Sequence, residues 1–163
     1  MVDIRKVKEE DKPQVRTLEL FCIREYLENS LQKRWDDLPA ELMEQLGAST
    51  KDSFDFYREA GLSYVAMEKG QVVGFLFSQM MQHVNNIDKV LWIENLGVHP
   101  EHRRKGVGLK LLRRAALDPK KKGAKAVQSV IMPDSKDAVM LHKKVGFFLD
   151  GRKFAFLDLE NFS

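Results

Sequence analysis

The stretch that most limits what this chain can fold into runs from Leu91 to Gly108. Leu91-Trp92-Ile93-Glu94-Asn95-Leu96-Gly97-Val98 is apolar and strand-like, and His99-Pro100-Glu101-His102 turns the chain. Arg103-Arg104-Lys105-Gly106-Val107-Gly108 then opens a segment to Leu117 that places Val107, Leu111, Leu112 and Ala115 on one side of a helix. A strand, a glycine loop and a helix start in this order make an anion trap. The first-turn N–H groups have no partner within the helix, and the helix dipole adds positive character. Gly106 and Gly108 let a phosphate approach the backbone, and Arg103, Arg104 and Lys105 surround it with charge. The dinucleotide fingerprint Gly-x-Gly-x-x-Gly is not met, because Leu111 stands at its third glycine. A Walker loop is excluded by the lack of Gly-Lys-Ser/Thr.

The rest of the chain frames this unit. Residues 2–7 read as a first strand, and Asp11 with Pro13 starts a helix that Val15, Leu18, Phe21, Cys22 and Tyr26 carry to about Glu28. Two short helices follow, Pro39 to Leu46 and Ser53 to Ala60. Strands are expected over Leu62 to Glu68, Gln71 to Met81 and Asp88 to Val98, with a tight Lys69-Gly70 turn and a longer polar connection from His83 to Asp88. The helix after Gly106 should be interrupted at Asp118-Pro119. A strand over Lys125 to Met132, a helix over Ser135 to Val145, and a hairpin of Phe147 to Asp150 and Lys153 to Leu159 complete the reading. The fold class is α/β with a mixed sheet of about seven strands, in one domain spanning residues 1–163.

Charge is distributed unevenly. Lys+Arg against Asp+Glu is 10 to 14 over residues 1–60 and 17 to 10 over residues 61–163, which accounts for the net +3. The excess between His99 and Lys125 reads either as a solvated helix face or as a surface that collects a polyanion. The single cysteine, Cys22, cannot form an intrachain disulfide, and no zinc-ligand spacing exists, so no metal is expected. No apolar run approaches the ~20 residues that span a bilayer. A cytoplasmic protein without membrane association is the expectation.

Arg103-x-x-Gly106-x-Gly108, with the lead-in Val98-His99-Pro100-Glu101-His102, resembles the pyrophosphate loop of the GNAT superfamily of N-acyltransferases. About 30 residues on, Ala138-Val139-Met140-Leu141-His142-Lys143-Lys144-Val145-Gly146-Phe147 is similar to that superfamily's Ala-x-x-Leu-Tyr-x-x-x-Gly-Phe. The resemblance spans about residues 62–159. It implies a mainly antiparallel mixed sheet whose central strands splay apart, flanked by helices. It also implies transfer of an acetyl group from acetyl-CoA to a primary amine by direct attack in a ternary complex. Residues 1–61 would then form the acceptor side and residues 62–163 the CoA-binding core. The pantetheine arm would pair with the backbone of Leu96, Gly97 and Val98, and the N–H groups from Arg104 through Val107 to Gly108 would hold the pyrophosphate. Ser135 falls where the pantetheine arm is often contacted, or else it caps the helix that follows. Lys143, Lys144 and Lys120 to Lys122 are candidates for the ribose phosphate, or ordinary solvated surface.

Transfer from a thioester to an amine needs a base for the ammonium and an acid for the thiolate. The resemblance points to Glu94 as the base. Its apolar strand neighbours give a reason for a raised pKa, against the plainer reading of an edge carboxylate in an ion pair. The superfamily's tyrosine acid is replaced here by His142, which is either the acid or a core histidine satisfied by a carbonyl. The acceptor, a small amine or polyamine or a peptide amine, would meet the N-terminal helices and the His83 to Asp88 connection. There Trp35, Tyr57 and Tyr64 are pocket candidates or core. Acidic residues from Glu19 to Asp55 favour a cationic amine or are surface charge. Homodimerisation is compatible with this reading. Two other readings compete. One is a non-catalytic CoA-binding sensor or scaffold. The other is a basic nucleic-acid-binding module, disfavoured because no aromatic residues are interleaved with the basic run.

Overall fold

A computed structural model of the chain describes residues 1–29, 32, 34–41, 53–132 and 134–163. Five strands form one sheet in chain order: β1 (Asp3–Lys6), β2 (Tyr64–Glu68), β3 (Gln71–Val84), β4 (Ile87–Val98) and β5 (Ala126–Ser129). The first three pairings are antiparallel and β4–β5 is parallel. On one face lie α1 (Lys12–Asn29) and α2 (residues 53–60), and on the other α3 (Val107–Lys121), joined to β5 by a short turn. Helix α4 (Lys136–Val145) follows β5 and packs against α3. The expected helix over Pro39 to Leu46 falls outside the described residues beyond Glu41, as does the side chain of Trp35.

Strand alternation sends the two faces of the sheet into separate cores. Leu76, Leu91 and Ile93 meet Val107, Leu111, Leu112 and Ala115 of α3. Val65, Phe75 and Phe77 meet Val15 and Leu18 of α1 and Phe54 and Tyr57 of α2. Tyr64 and Tyr57 therefore belong to the cores. The Tyr64 hydroxyl donates to Asp118 Oδ2 at 2.8 Å, and the Tyr57 ring stacks on Phe77 at 5.1 Å.

Four sequence expectations are corrected. The sheet has five strands rather than seven, because the closing hairpin is absent: residues 147–159 contain no strand, and Phe148 and Phe156 are 86% and 81% exposed. Their alternating pattern suits a strand, but strand formation depends on a neighbouring edge and a core to bury against, and β5 stops after four residues at Ser129. The His83 to Asp88 connection is a tight Asn85-Asn86 turn with φ of 52° and 65°, because asparagine tolerates the left-handed region that a two-residue hairpin needs. β3 and β4 therefore stay paired out to Val84 and Ile87. Helix α3 continues through Pro119, which occupies its last turn, where only one N–H is forfeited. The Pro119 carbonyl accepts from Lys122 and Ala124, and the Asp118 carboxylate is held by Tyr64 and by Arg114 at 3.0 Å. Asp11 precedes α1 as expected, yet its carboxylate turns back to accept the Lys8 N–H and both Arg5 guanidinium nitrogens, each at 2.8 Å.

Candidate active site

The pairing of β4 with β5 ends at Ile93 and Ser129, and beyond this point the two chains part. On its other edge β4 steps in register from Ile93, opposite Ser78, to Asn95, opposite Phe77, so Glu94 is the extra residue of a β-bulge. The bulge resets the alternation of the strand. Leu91 and Ile93 face α3 before it, and Leu96 and Val98 pack on the same core after it. That shift from odd to even apolar positions is legible in the sequence and is the signal that would have revealed the bulge. A cavity of about 340 Å³ fills the opening. Its walls are Ile93 to Leu96 of β4, Ser129 at the end of β5 with residues 130–132 after it, Cys22, Glu25, Tyr26 and Asn29 of α1, and Ser135, Ala138 and His142 around α4.

Next to this opening, the turn Pro100–His102 carries the chain into the loop before α3. Arg104 and Gly106 both take the left-handed conformation, with φ of 63° and 84°. The first intrahelical bond is donated by Lys110 to the Gly106 carbonyl at 3.0 Å, which leaves the N–H groups of residues 107–109 at an open helix end. A Cβ on Gly106 would meet nothing within 4 Å, so space beside the backbone is available there. Gly108 does something else: a Cβ would lie 2.8 Å from Leu141, so this glycine lets α4 pack against α3. Gly97 likewise admits Phe75 and Cys22, whose atoms would lie 2.5 and 2.9 Å from an added Cβ. Val107 turns its side chain into the core.

The three cations of the loop are not equivalent. Arg103 forms a fork with Glu25 of α1 at 2.8 and 3.0 Å and donates through Nε to the Val98 carbonyl at 2.9 Å. It ties α1 to the end of β4. Arg104 pairs with Asp137 at 2.8 Å in an exposed position, while Lys105 is exposed on the loop and Lys143 on α4. Ser135 sits at the N-cap of α4, but its side chain makes no capping hydrogen bond, so the capping alternative does not hold.

His142 is only 4% exposed, and its ring lies edge-on to Phe147 at 4.8 Å. Its Nδ1 lies 2.7 Å from the Ala138 carbonyl, which can only accept, so Nδ1 carries the proton. Nε2 is buried without a partner among the described residues. The residue is thus satisfied by a carbonyl on one nitrogen and open on the other, at the wall of the cavity.

Glu94 is exposed rather than enclosed, and one of its oxygens accepts the Trp92 indole N–H at 2.7 Å. The carboxylate with the surroundings expected of Glu94 is Glu19 on α1. It is 5% exposed, its Oε2 has no hydrogen-bond partner, and burial pushes its carboxyl up to about 7, with Arg16 opposing the shift and Glu94 adding to it. The sequence carried a signal here too, since Glu19 lies four residues after Val15, on the inward stripe of α1. Cys22 borders the cavity, and burial pushes its thiol up to about 11, so it stays protonated and is a poor nucleophile. No group of residues able to hold a metal ion occurs among the described residues.

The fold is shared with solved structures over nearly the full chain. The aminoglycoside N-acetyltransferase AAC(6')-Iy, solved with the bisubstrate analogue CoA-S-monomethyl-acetylneamine, is 20% identical and superposes with a TM-score of 0.73, covering 97% of this chain and 98% of that one. The aminoglycoside 6'-N-acetyltransferase AAC(6')-IG from Acinetobacter haemolyticus is 20% identical, with a TM-score of 0.68 and coverage of 96% and 97%. A transcriptional regulator from Bacillus halodurans C-125 is 21% identical, with a TM-score of 0.68 and coverage of 96% and 100%. At this level of identity the likeness establishes architecture. No curated protein matches the chain in sequence. Residues 2–162 match the model of the family described as "Protein of unknown function (DUF1999)". The chain therefore belongs to the DUF1999 family, and its mixed sheet with parted central strands is the GNAT N-acyltransferase fold.

Proposed function

We propose that this protein transfers the acetyl group of acetyl-CoA to a primary amine by direct attack in a ternary complex. The observation that carries the reading is the cavity where β4 and β5 part, bordered by Glu94, Leu96, Ser135 and His142 and lying beside the open end of α3. Acetyl-CoA supplies an activated thioester carbonyl. The residues present fit such a ligand: the N–H groups of residues 104–108 and the unobstructed Gly106 suit the pyrophosphate, the freed edge of Leu96, Gly97 and Val98 suits the pantetheine amides, and Ser135 has a hydroxyl to offer them. Lys105 and Lys143 supply charge for the ribose phosphate, whereas Arg103 serves the protein's own architecture first. Residues 1–61 form the acceptor side and residues 62–163 the CoA side.

Glu94 accepts a proton from the acceptor ammonium, and the Trp92 indole holds its carboxylate in place. The amine nitrogen attacks the carbonyl carbon; the C–N bond forms, the C–S bond breaks, and the second nitrogen proton ends on the thiolate. His142 can deliver a proton from Nε2 only as imidazolium, because Nδ1–H is committed to Ala138. The protonated Cys22 argues against a cysteine-bound acetyl intermediate. Solved relatives of this fold named as aminoglycoside N-acetyltransferases favour a small cationic amine as acceptor.

The test is release of free thiol from acetyl-CoA in the presence of neamine, spermidine or a short lysine peptide. Thiol release is expected, and Glu94→Gln should slow it by about 10²–10⁴-fold with CoA affinity unchanged. His142→Phe should lower the maximal rate and leave CoA affinity intact; full activity in that variant removes His142 from the mechanism. The commitment of the His142 Nδ1 proton favours one other reading, a CoA sensor without turnover. CoA binding with no thiol release for any amine would establish it.

A further inference from the structure

Glu19 is a buried carboxylate that the transfer chemistry above does not use, and, unlike the buried Asp11, it has no guanidinium fork to hold it. It is 5% exposed, on the inward side of α1, and Oε2 has neither a hydrogen-bond donor nor a counter-ion at contact distance among the described residues. Four groups act on it electrostatically or are acted on by it: Arg16 and Cys22 from its own helix, Tyr57 from α2, and Glu94 from β4. Two of these five groups are carboxylates and only one is a cation. Two acids acted on by a single cation, one of them enclosed and the other on the cavity wall, are short of one positive charge. Glu94 is exposed at the bulge and lines the cavity, so the missing charge has access from the cavity side.

We infer that Glu19 and Glu94 form a two-carboxylate seat for a compact organic ammonium, with Glu94 touching the cation and the enclosed Glu19 adding a second negative charge behind it. This rests on the acetyl-transfer reading and sharpens it, for it makes the acceptor a cationic amine and Glu19 a positioning residue that acts through Glu94. The protonation of Glu19 near neutrality then becomes a control on acceptor affinity. Above pH 7 Glu19 adds its charge to the seat and the cation is held firmly; below it, that charge is withdrawn. By reciprocity the bound cation must draw the Glu19 titration downward by the same factor that ionised Glu19 tightens the cation.

The test uses the full chain without CoA, and three probes that stay cationic between pH 6 and pH 8: butane-1,4-diamine, spermidine and neamine, with butane-1,4-diol as the uncharged control. At least one cation should bind about fivefold more tightly at pH 8 than at pH 6, the part of a one-unit coupling that develops across that window. In Glu19→Gln the affinity should be flat over that range. Carboxyl ¹³C NMR should show the Glu19 titration moving down by about one pH unit at saturation with that probe. The diol should move nothing. Failure of all three cations to bind, the same pH dependence in Glu19→Gln, or an unmoved Glu19 resonance overturns the inference. CoA affinity is measured separately on the same samples. Loss of CoA binding alone would therefore count against the transferase reading and leave the carboxylate seat standing.

Discussion

The two faces of β4 are built to opposite rules. Toward α3, Leu91, Ile93, Leu96 and Val98 meet Val107, Leu111, Leu112 and Ala115 with no polar side chain among them. Toward α1, the same strand presents Trp92 and Glu94, and the helix answers with Glu19 and Cys22. The α3 face holds the sheet in shape and the α1 face carries chemistry. A buried carboxylate whose Oε2 has no hydrogen-bond partner among the described residues is tolerated on the second because the first secures the strand.

The largest test of this contrast is Leu111→Ala. Leu111 is fully buried in the apolar face, so its truncation should cost about 2–5 kcal/mol in urea unfolding. A loss well under 1 kcal/mol would mean that the α3 face is not the anchor. Next comes the pH dependence of stability on the α1 face. Burial raises the Glu19 carboxyl from its ordinary value of 4.5 to about 7 in the fold. Its proton is therefore held more firmly in the native than in the unfolded chain. The stabilisation is full below pH 4.5 and is lost as the pH rises toward and through 7. The decline attributable to this group is up to roughly 3 kcal/mol between pH 4.5 and 7.5. Glu19→Gln should abolish that decline; an unchanged slope would place the titrating group elsewhere. The smallest effect concerns the close approach of α1 to the strand. Gly97→Ala pushes a methyl into Phe75 and Cys22 and should cost about 1–3 kcal/mol. Pairing it with Cys22→Ala should recover part of the loss, whereas strict additivity would show that Phe75 alone resists.

What the sequence disclosed follows the same division. The strand, the glycine loop and the amphipathic α3 were readable because each is a local pattern whose period matches its structure. The parted strands and the place of residues 103–108 followed from the resemblance of two motifs. The Glu19 environment was not readable, since it depends on which acidic residue of α1 the sheet covers. The sequence reads Glu94 either as a base among apolar strand neighbours or as an edge carboxylate, and it stands exposed at the bulge with the Trp92 indole as its hydrogen-bond donor. Arg103 looked like a phosphate ligand, and only the packing of α1 reveals its fork with Glu25. The residues of the expected C-terminal hairpin have the composition of strands but no edge to join, a matter of tertiary context rather than propensity.

The bulge makes Glu94 an inserted residue as well as a carboxylate, and the two properties separate experimentally. Replacing it by glutamine changes a charge and keeps the phase of the strand. Deleting it would restore strict alternation between β3 and β4. Ile93 and Asn95 would then follow one another opposite Ser78 and Phe77, and Leu91, Ile93, Leu96 and Val98 would all still face α3. A one-residue deletion at this point therefore removes the carboxylate and the bulge together while keeping the apolar frame of the strand, so its effect should fall on the cavity wall more than on the α3 core.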